Sequence, residues 1–309
     1  MSAALPTVLF VDDEERIVRS LRMLFRGRAD VLATTSGRQA IDWVRERRVH
    51  VVVSDQRMPE VTGVEVLRAV AQHSPATMRI LLTGYADLDA VTASVNDGEI
   101  FRFVEKPWDA QQLIGVVAQA AAIAEREFAA PARPVLRVAP EPAAAKMLVL
   151  DSDGSIAAQV RELLPSAITI RHATSLEAAL DVLIDEDVAV MVAELTSAGG
   201  DVAASLKELK RIRPALLAIV ISPLRDSRVV ISLINEGQIF RFLLQPPVRE
   251  LLRRGLIAAL ERHAELRSAA QLQHRHTVDA PREANATLSG RLARYWQRLR
   301  GSALGARAG

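Results

Sequence analysis

The chain contains no cysteine, which excludes disulfides and thiolate metal sites outright. Its first residues, Met1–Pro6, carry neither a basic start nor a long apolar stretch, so nothing there reads as a secretory signal. No apolar run approaches the roughly 20 residues that a membrane-spanning helix needs. Glycine-rich ATP loops, paired metal-hydrolase histidines, cyclase signatures and a helix-turn-helix pattern are also missing. The histidines (His50, His73, His172, His263, His274 and His276) show no metal spacing. These absences lead to the expectation of a cytoplasmic protein that is not itself an enzyme. Lysine is scarce as well. Only Lys106, Lys146, Lys207 and Lys210 occur among 39 basic residues, and Lys106 is the only one in the first 145 positions. Lysine kept in such an arginine background suggests a need for a compact point charge.

What is present points to two domains. The chain has 309 residues, half of them hydrophobic, enough for each domain to bury its own core. NDGEIFRFVEKPW (96–108) and NEGQIFRFLLQPP (235–247) are identical at seven of thirteen positions, at an offset of 139. The same offset places VLFVDD (8–13) over LVLDS (148–152), VVVSD (51–55) over VMVAE (190–194), and RILLT (79–83) over AIVIS (218–222). One offset through four blocks means two copies of one fold.

Within the first copy, short apolar runs at 7–11, 30–34, 50–54, 78–83 and 101–104 suit parallel strands buried on both faces. Helical spacing fills about 14–27, 37–47, 62–73, 86–95 and 109–128, with Ile17, Leu21 and Leu24 as the inward stripe of the first helix. Five alternations predict an α/β fold, a flavodoxin-like (βα)5 doubly wound parallel sheet. The expected domains are 1–128 and 146–270, joined by a Pro/Ala-rich linker at 129–145 and followed by an Arg-rich tail at 271–309. In that tail, 288–299 has the spacing of one amphipathic helix, with Leu288, Leu292, Tyr295 and Leu299 on one side.

Ligands of open parallel sheets bind at the carboxyl ends of the strands. There the first copy places Asp12 and Asp13, Asp55, Thr83, and Lys106 followed by Pro107. Clustered carboxylates repel each other, and a divalent cation relieves that repulsion. Oxygen-only donors point to a hard ion such as Mg2+, which keeps several waters and takes one or two carboxylates plus phosphate oxygens. Asp55 has the chemistry of a carboxylate nucleophile that accepts a phosphoryl group. Lys106 would neutralise charge on that group and Thr83 would hydrogen-bond one of its oxygens. A single strand-end aspartate is ordinarily a helix N-cap, and Asp13 or Glu14 fits that plainer role. All five residues in matching slots favour the chemical reading.

This set, with DQRMPEVTG at 55–63, resembles the receiver domains of bacterial two-component response regulators. LTGYADLDAV and EIFRFVEKPW are similar to receivers attached to hydrogenase regulators and cyclic-di-GMP hydrolases. The resemblance covers residues 7–128. It implies that Asp55 is the phosphoacceptor, and that Asp13, Asp55 and the carbonyl of Arg57 bind Mg2+ directly, with Asp12 acting through water. It also implies that Thr83 and Phe103 are the switch pair and that the Lys106–Pro107 bond is cis. The implied donor is a histidine kinase or a phosphotransfer protein.

The second copy departs from this pattern. Asp151 replaces Asp12, Ser152 replaces Asp13, Glu194 replaces Asp55, Ser222 replaces Thr83 and Gln245 replaces Lys106. The nucleophile and the ammonium are gone, so this half reads as a pseudo-receiver that takes no phosphate. Glu194 reads either as a mimic of phosphoaspartate or as drift in a domain kept for packing, the second being favoured. The expected output is a change in protein–protein contacts, as a homodimer through the first domain or with an effector protein. Two alternatives stay open: a phosphate sink or relay, and nucleic-acid binding by Arg291, Arg294, Arg298 and Arg300 of the tail. The net charge of +2 does not by itself call for a nucleic-acid partner.

Overall fold

The computed structural model describes residues 5–84, 100–129, 145–196, 201–223 and 227–268. The expectations for a helix over 86–95, for most of the linker and for the tail fall outside these residues. In chain order the first elements are β1 (Thr7–Val11), α1 (Glu15–Phe25), β2 (Asp30–Thr34), α2 (Gly37–Glu46), β3 (Val51–Asp55), α3 (Gly63–His73), β4 (Met78–Thr83), β5 (Arg102–Glu105) and α4 (Ala110–Ala129). Then follow β6 (Lys146–Leu150), α5 (Ser155–Leu163), β7 (Thr169–Ala173), α6 (Leu176–Asp185), β8 (Val188–Glu194), α7 (Val202–Ile212), β9 (Leu217–Ser222), α8 (Ser227–Asn235), β10 (Arg241–Leu244) and α9 (Arg249–Ser268).

Two five-stranded sheets result, ordered β2-β1-β3-β4-β5 and β7-β6-β8-β9-β10, with every pairing parallel. Both orders reverse direction at the first strand of the sheet, the mark of a doubly wound α/β fold. The cause is legible in β3. Val51, Val52 and Val53 are all fully buried, so the strand has no solvent face to pair with polar residues. Each buried valine stabilises by about 1.5–3 kcal/mol, which favours covering both faces with helices. Val8 and Phe10 of β1 pack on one face with α1 and α4. Leu9 and Val11, one residue out of phase, point to the other face, where α2 and α3 lie.

Helix ends are set by local chemistry. Ser36 caps α2 by accepting from the Gln39 N–H. Thr62 and Glu65 form a reciprocal capping box at α3. Hydrogen bonds from the Thr62 N–H and hydroxyl hold the Glu65 carboxyl below its usual range. The expected inward stripe of α1 needs a correction. Its fully buried positions are Val18, Leu21 and Phe25, while Ile17 and Leu24 are half-buried at the margin. The Phe25 ring decides the rotation, because it meets Phe10 at a centroid distance of 4.9 Å.

The described residues form two compact units. One is built on the first sheet and also includes α8. The other is built on the second sheet with α5, α6, α7 and α9, and its core joins Met147, Val149, Val190, Val192, Ile219 and Leu256. The helix expected to complete the second copy thus clusters with the first sheet.

Lys210 is a buried cation of the second unit. Its ammonium donates to the carbonyls of Pro214 and Leu216, both at 2.8 Å. Burial, with the Arg262 guanidinium adding to it, pushes its pKa down to about 7 from an ordinary 10.5. Between those values the unfolded chain binds a proton that the folded chain does not, so stability rises with pH across that window. Urea midpoints of the second unit are expected to climb from pH 7 to pH 10. Lys210→Met is expected to flatten that climb, and equal slopes in both proteins would contradict the assignment.

Candidate functional site

The carboxyl ends of β1, β3, β4 and β5 meet at one edge of the first sheet. β1 lies between β2 and β3, with Val11 paired to Ser54, so Asp12 follows directly beside Asp55. Asp55 pairs with Leu82, which sets Thr83 one step beyond. Thr83 pairs with Glu105, and Lys106 comes next. The register of four strands therefore delivers four side chains to one place.

Lys106 is the centre of the arrangement. Its Nζ lies 2.6 Å from Asp55 Oδ1 and 3.0 Å from Asp12 Oδ2. Asp12 is fully buried and Asp55 nearly so. Asp12 Oδ1 accepts the Glu14 N–H at 3.0 Å, and Asp55 Oδ2 accepts the Arg57 N–H at 3.0 Å. Burial pushes the Asp12 carboxyl above its usual range, and its hydrogen bonds from Lys106 and the Glu14 N–H do not fully offset this. Burial alone would lower the Lys106 pKa, but its bonds to Asp55 and Asp12 outweigh that and hold it above 10.5. The Lys106 ammonium also lies 5.7 Å from the centroid of the Trp108 ring, within cation–π range. Trp108 also packs against the core of the first sheet.

Thr83 is fully buried, and its hydroxyl donates to the Gly84 carbonyl at 3.3 Å. Phe103 on β5 is buried too. Asp13 and Arg57 are exposed at the rim. The structure thus brings Asp12, Asp55 and Lys106 into contact, with Thr83 adjacent, and leaves Asp13 outside that contact. Among the described residues no three Asp, Glu or His side chains form a ready-made metal cage. The donors that are present still fit a hard divalent ion. Two buried carboxylates share one ammonium, so their charge is not fully matched by protein groups at this edge. Mg2+ asks for only one or two carboxylates.

The loop after β3 is shaped around Asp55. Gly63 starts α3 with its N–H bound to the Gln56 carbonyl. A Cβ at this position would lie 2.1 Å from the Asp55 carbonyl oxygen, so only glycine permits the approach. Glu60 carries the turn with φ at +66°, and Val64 N–H bonds the Gln56 side chain at 3.3 Å.

At the matching edge of the second sheet the partners differ. Gln245 Nε2 donates to Glu194 Oε1 at 2.8 Å, where Lys106 meets Asp55 in the first. Asp151 is fully buried, but its Oδ2 accepts the Ile156 and Ala157 N–H groups of α5. Its Oδ1 lies 2.7 Å from His172 Nε2. Ser152 is exposed and Ser222 is buried. The Lys106–Pro107 and Gln245–Pro246 bonds are both cis, the first as the resemblance implied.

The first sheet is thus an open parallel sheet with an acidic, lysine-centred cluster at its carboxyl edge. Residues 8–118 match the family model for the response regulator receiver domain. That match spans about a third of the chain. The hydrogenase transcriptional regulatory protein HoxA of Cupriavidus necator is 39% identical over 120 residues, 39% of this chain and 25% of that protein. HoxA of Bradyrhizobium diazoefficiens is 33% identical over 114 residues, 37% of this chain and 24% of that protein. The chain thus spans about a quarter of the length of these curated relatives. A solved signal receiver domain of an HD domain-containing protein from Pseudomonas fluorescens shares 32% identity over 42% of this chain and 97% of its own, with a TM-score of 0.41.

Gly63→Ala is expected to destabilise the first unit by about 1–3 kcal/mol, the usual range for overpacking. Thermal unfolding of the two proteins checks this, and unchanged stability would show that the Asp55 loop has room to spare.

Proposed function

We propose that Asp55 accepts a phosphoryl group from a histidine kinase or phosphotransfer protein. The reading is carried by one observation, the Lys106 ammonium held between the Asp12 and Asp55 carboxylates. Asp55 Oδ2 accepts the main-chain N–H of Arg57, and a carboxylate oxygen has a second lone pair for attack. The carboxylate oxygen forms a bond to phosphorus as the donor's nitrogen–phosphorus bond breaks, and the donor nitrogen keeps the electron pair. Lys106 would then meet the new phosphoryl oxygens, and the Thr83 hydroxyl would hydrogen-bond one of them.

Asp13, Asp55 and the Arg57 carbonyl would hold Mg2+ directly, with Asp12 through water. When bound, the ion supplies positive charge to the transferring oxygens. Thr83 and Phe103 are the switch pair in this reading. The half over 146–270 acts as a pseudo-receiver. Its Glu194 is satisfied by a neutral amide and its Asp151 is committed to the start of α5, which supports loss of phosphate chemistry there. Output then runs through protein–protein contacts, and the protein works in the cytoplasm. No described helix is long and apolar enough to cross a membrane.

Incubation with acetyl phosphate and Mg2+, followed by intact-mass measurement, is expected to add one phosphoryl group to the wild type. Asp55→Asn is expected to add none, and chelating the metal to suppress labelling. Equal labelling of Asp55→Asn and wild type would sink the assignment.

A further inference from the structure

The unit built on the first sheet contains one helix whose sequence belongs to the second repeat. α8 packs against β5 and buries Val230, Ile231, Leu233 and Ile234. The contact ends in a two-bond clamp. Asn235 Oδ1 accepts the Phe103 N–H at 2.8 Å, and Asn235 Nδ2 donates to the Phe103 carbonyl at 2.7 Å. The partners are 132 residues apart in the chain. β5 is the outermost strand of its sheet, so the main-chain groups on its free side lack a neighbouring strand. A side-chain amide carries the same donor and acceptor as a peptide unit. Asn235 therefore gives Phe103 what one residue of a sixth strand would give.

We propose that α8 is a built-in occupant of the β5 edge, and that phosphorylation of Asp55 loosens the grip of Asn235 on Phe103. This rests on the reading of Asp55 as the phosphoacceptor. The physical link is β5 itself. Lys106 directly follows this four-residue strand, bonds Asp55 Oδ1 through Nζ at 2.6 Å, and bonds the Thr83 carbonyl through its N–H at 2.9 Å. Phe103 lies three residues earlier, about 10 Å along the strand.

With a free Asp55 carboxylate holding Lys106, the clamp is closed. A phosphoryl group adds charge and acceptor oxygens at the point Lys106 faces. The ammonium shifts to meet them, and a short strand paired on one side only carries that shift to Phe103. By linkage, a clamp that disfavours phosphorylation must itself be weakened by phosphorylation to the same degree.

Amide hydrogen exchange of Phe103, read by NMR on the full chain, tests both halves of the proposal. Asn235→Ala is expected to speed Phe103 exchange about tenfold, the loss expected for one hydrogen bond. Asn235→Asp keeps an acceptor, sets a carboxylate oxygen against the Phe103 carbonyl, and is expected to loosen the clamp if the alanine variant does not fold. Acetyl phosphate with Mg2+ is expected to bring wild-type exchange toward that of Asn235→Ala, and Asn235→Ala to label faster than wild type. Unchanged Phe103 exchange in both variants would remove the clamp. Wild-type chain that labels at Asp55 yet keeps slow Phe103 exchange would overturn the coupling and leave the phosphoacceptor reading intact. Wild-type chain that fails to label would overturn that reading and the coupling with it, while the clamp is still decided by the exchange of the unlabelled variants.

Discussion

Two buried carboxylates share one ammonium, and the first sheet is organised so that this sharing is possible. Asp12 and Asp55 come from adjacent strands, so their charges are forced together. Lys106 answers them from the far edge of the sheet. The requirement reaches outward from there. The register of β4 on β5 must place Lys106 one residue past Thr83, and the turn after Asp55 must admit Gly63 within contact of the Asp55 carbonyl. A site short of positive charge is poised for a cation and for a group that brings its own oxygens.

The second sheet shows what the same fold does when the demand is removed. Its strand order and its five strands repeat the first. At its edge a neutral Gln245 amide satisfies Glu194, and Asp151 turns to the helix N–H groups and to His172. Neither acid meets an ammonium there, and Glu194 is bonded by a neutral amide. The contrast separates what the fold requires from what the chemistry requires. The sheet tolerates the replacement of every charged residue at its carboxyl edge but one, and even that one, Asp151, changes its bonding.

Most of this was legible in the sequence because it depends on short-range patterns. Strand positions followed from apolar runs buried on both faces, and the residues that meet at the carboxyl edge followed from their places at strand ends. The repeat offset of 139 located the residues at the matching edge of the second sheet. What stayed hidden depends on rotation or on distance. The spacing Ile17, Leu21, Leu24 and the spacing Val18, Leu21, Phe25 both fit a helix. Only the Phe10–Phe25 contact chooses between them. The place of Trp108 beside the Lys106 ammonium is a matter of side-chain direction. Asn235 was visible as a repeated letter of NDG and NEG. Its bond to a strand 132 residues away has no signature in local spacing. The grouping of α8 with the first sheet could not be inferred from a repeat that argues for two self-contained copies.

The state of Lys106 is the most direct measure of this account. With only four lysines in the chain, side-chain 15N labelling gives few ammonium signals to assign. A titration should show the Lys106 ammonium losing its proton above 10.5, the direction set by its bonds to Asp55 and Asp12, and Asp55→Asn should bring that midpoint down. A Lys106 signal that titrates at or below its ordinary value, and ignores the loss of the Asp55 charge, would contradict it.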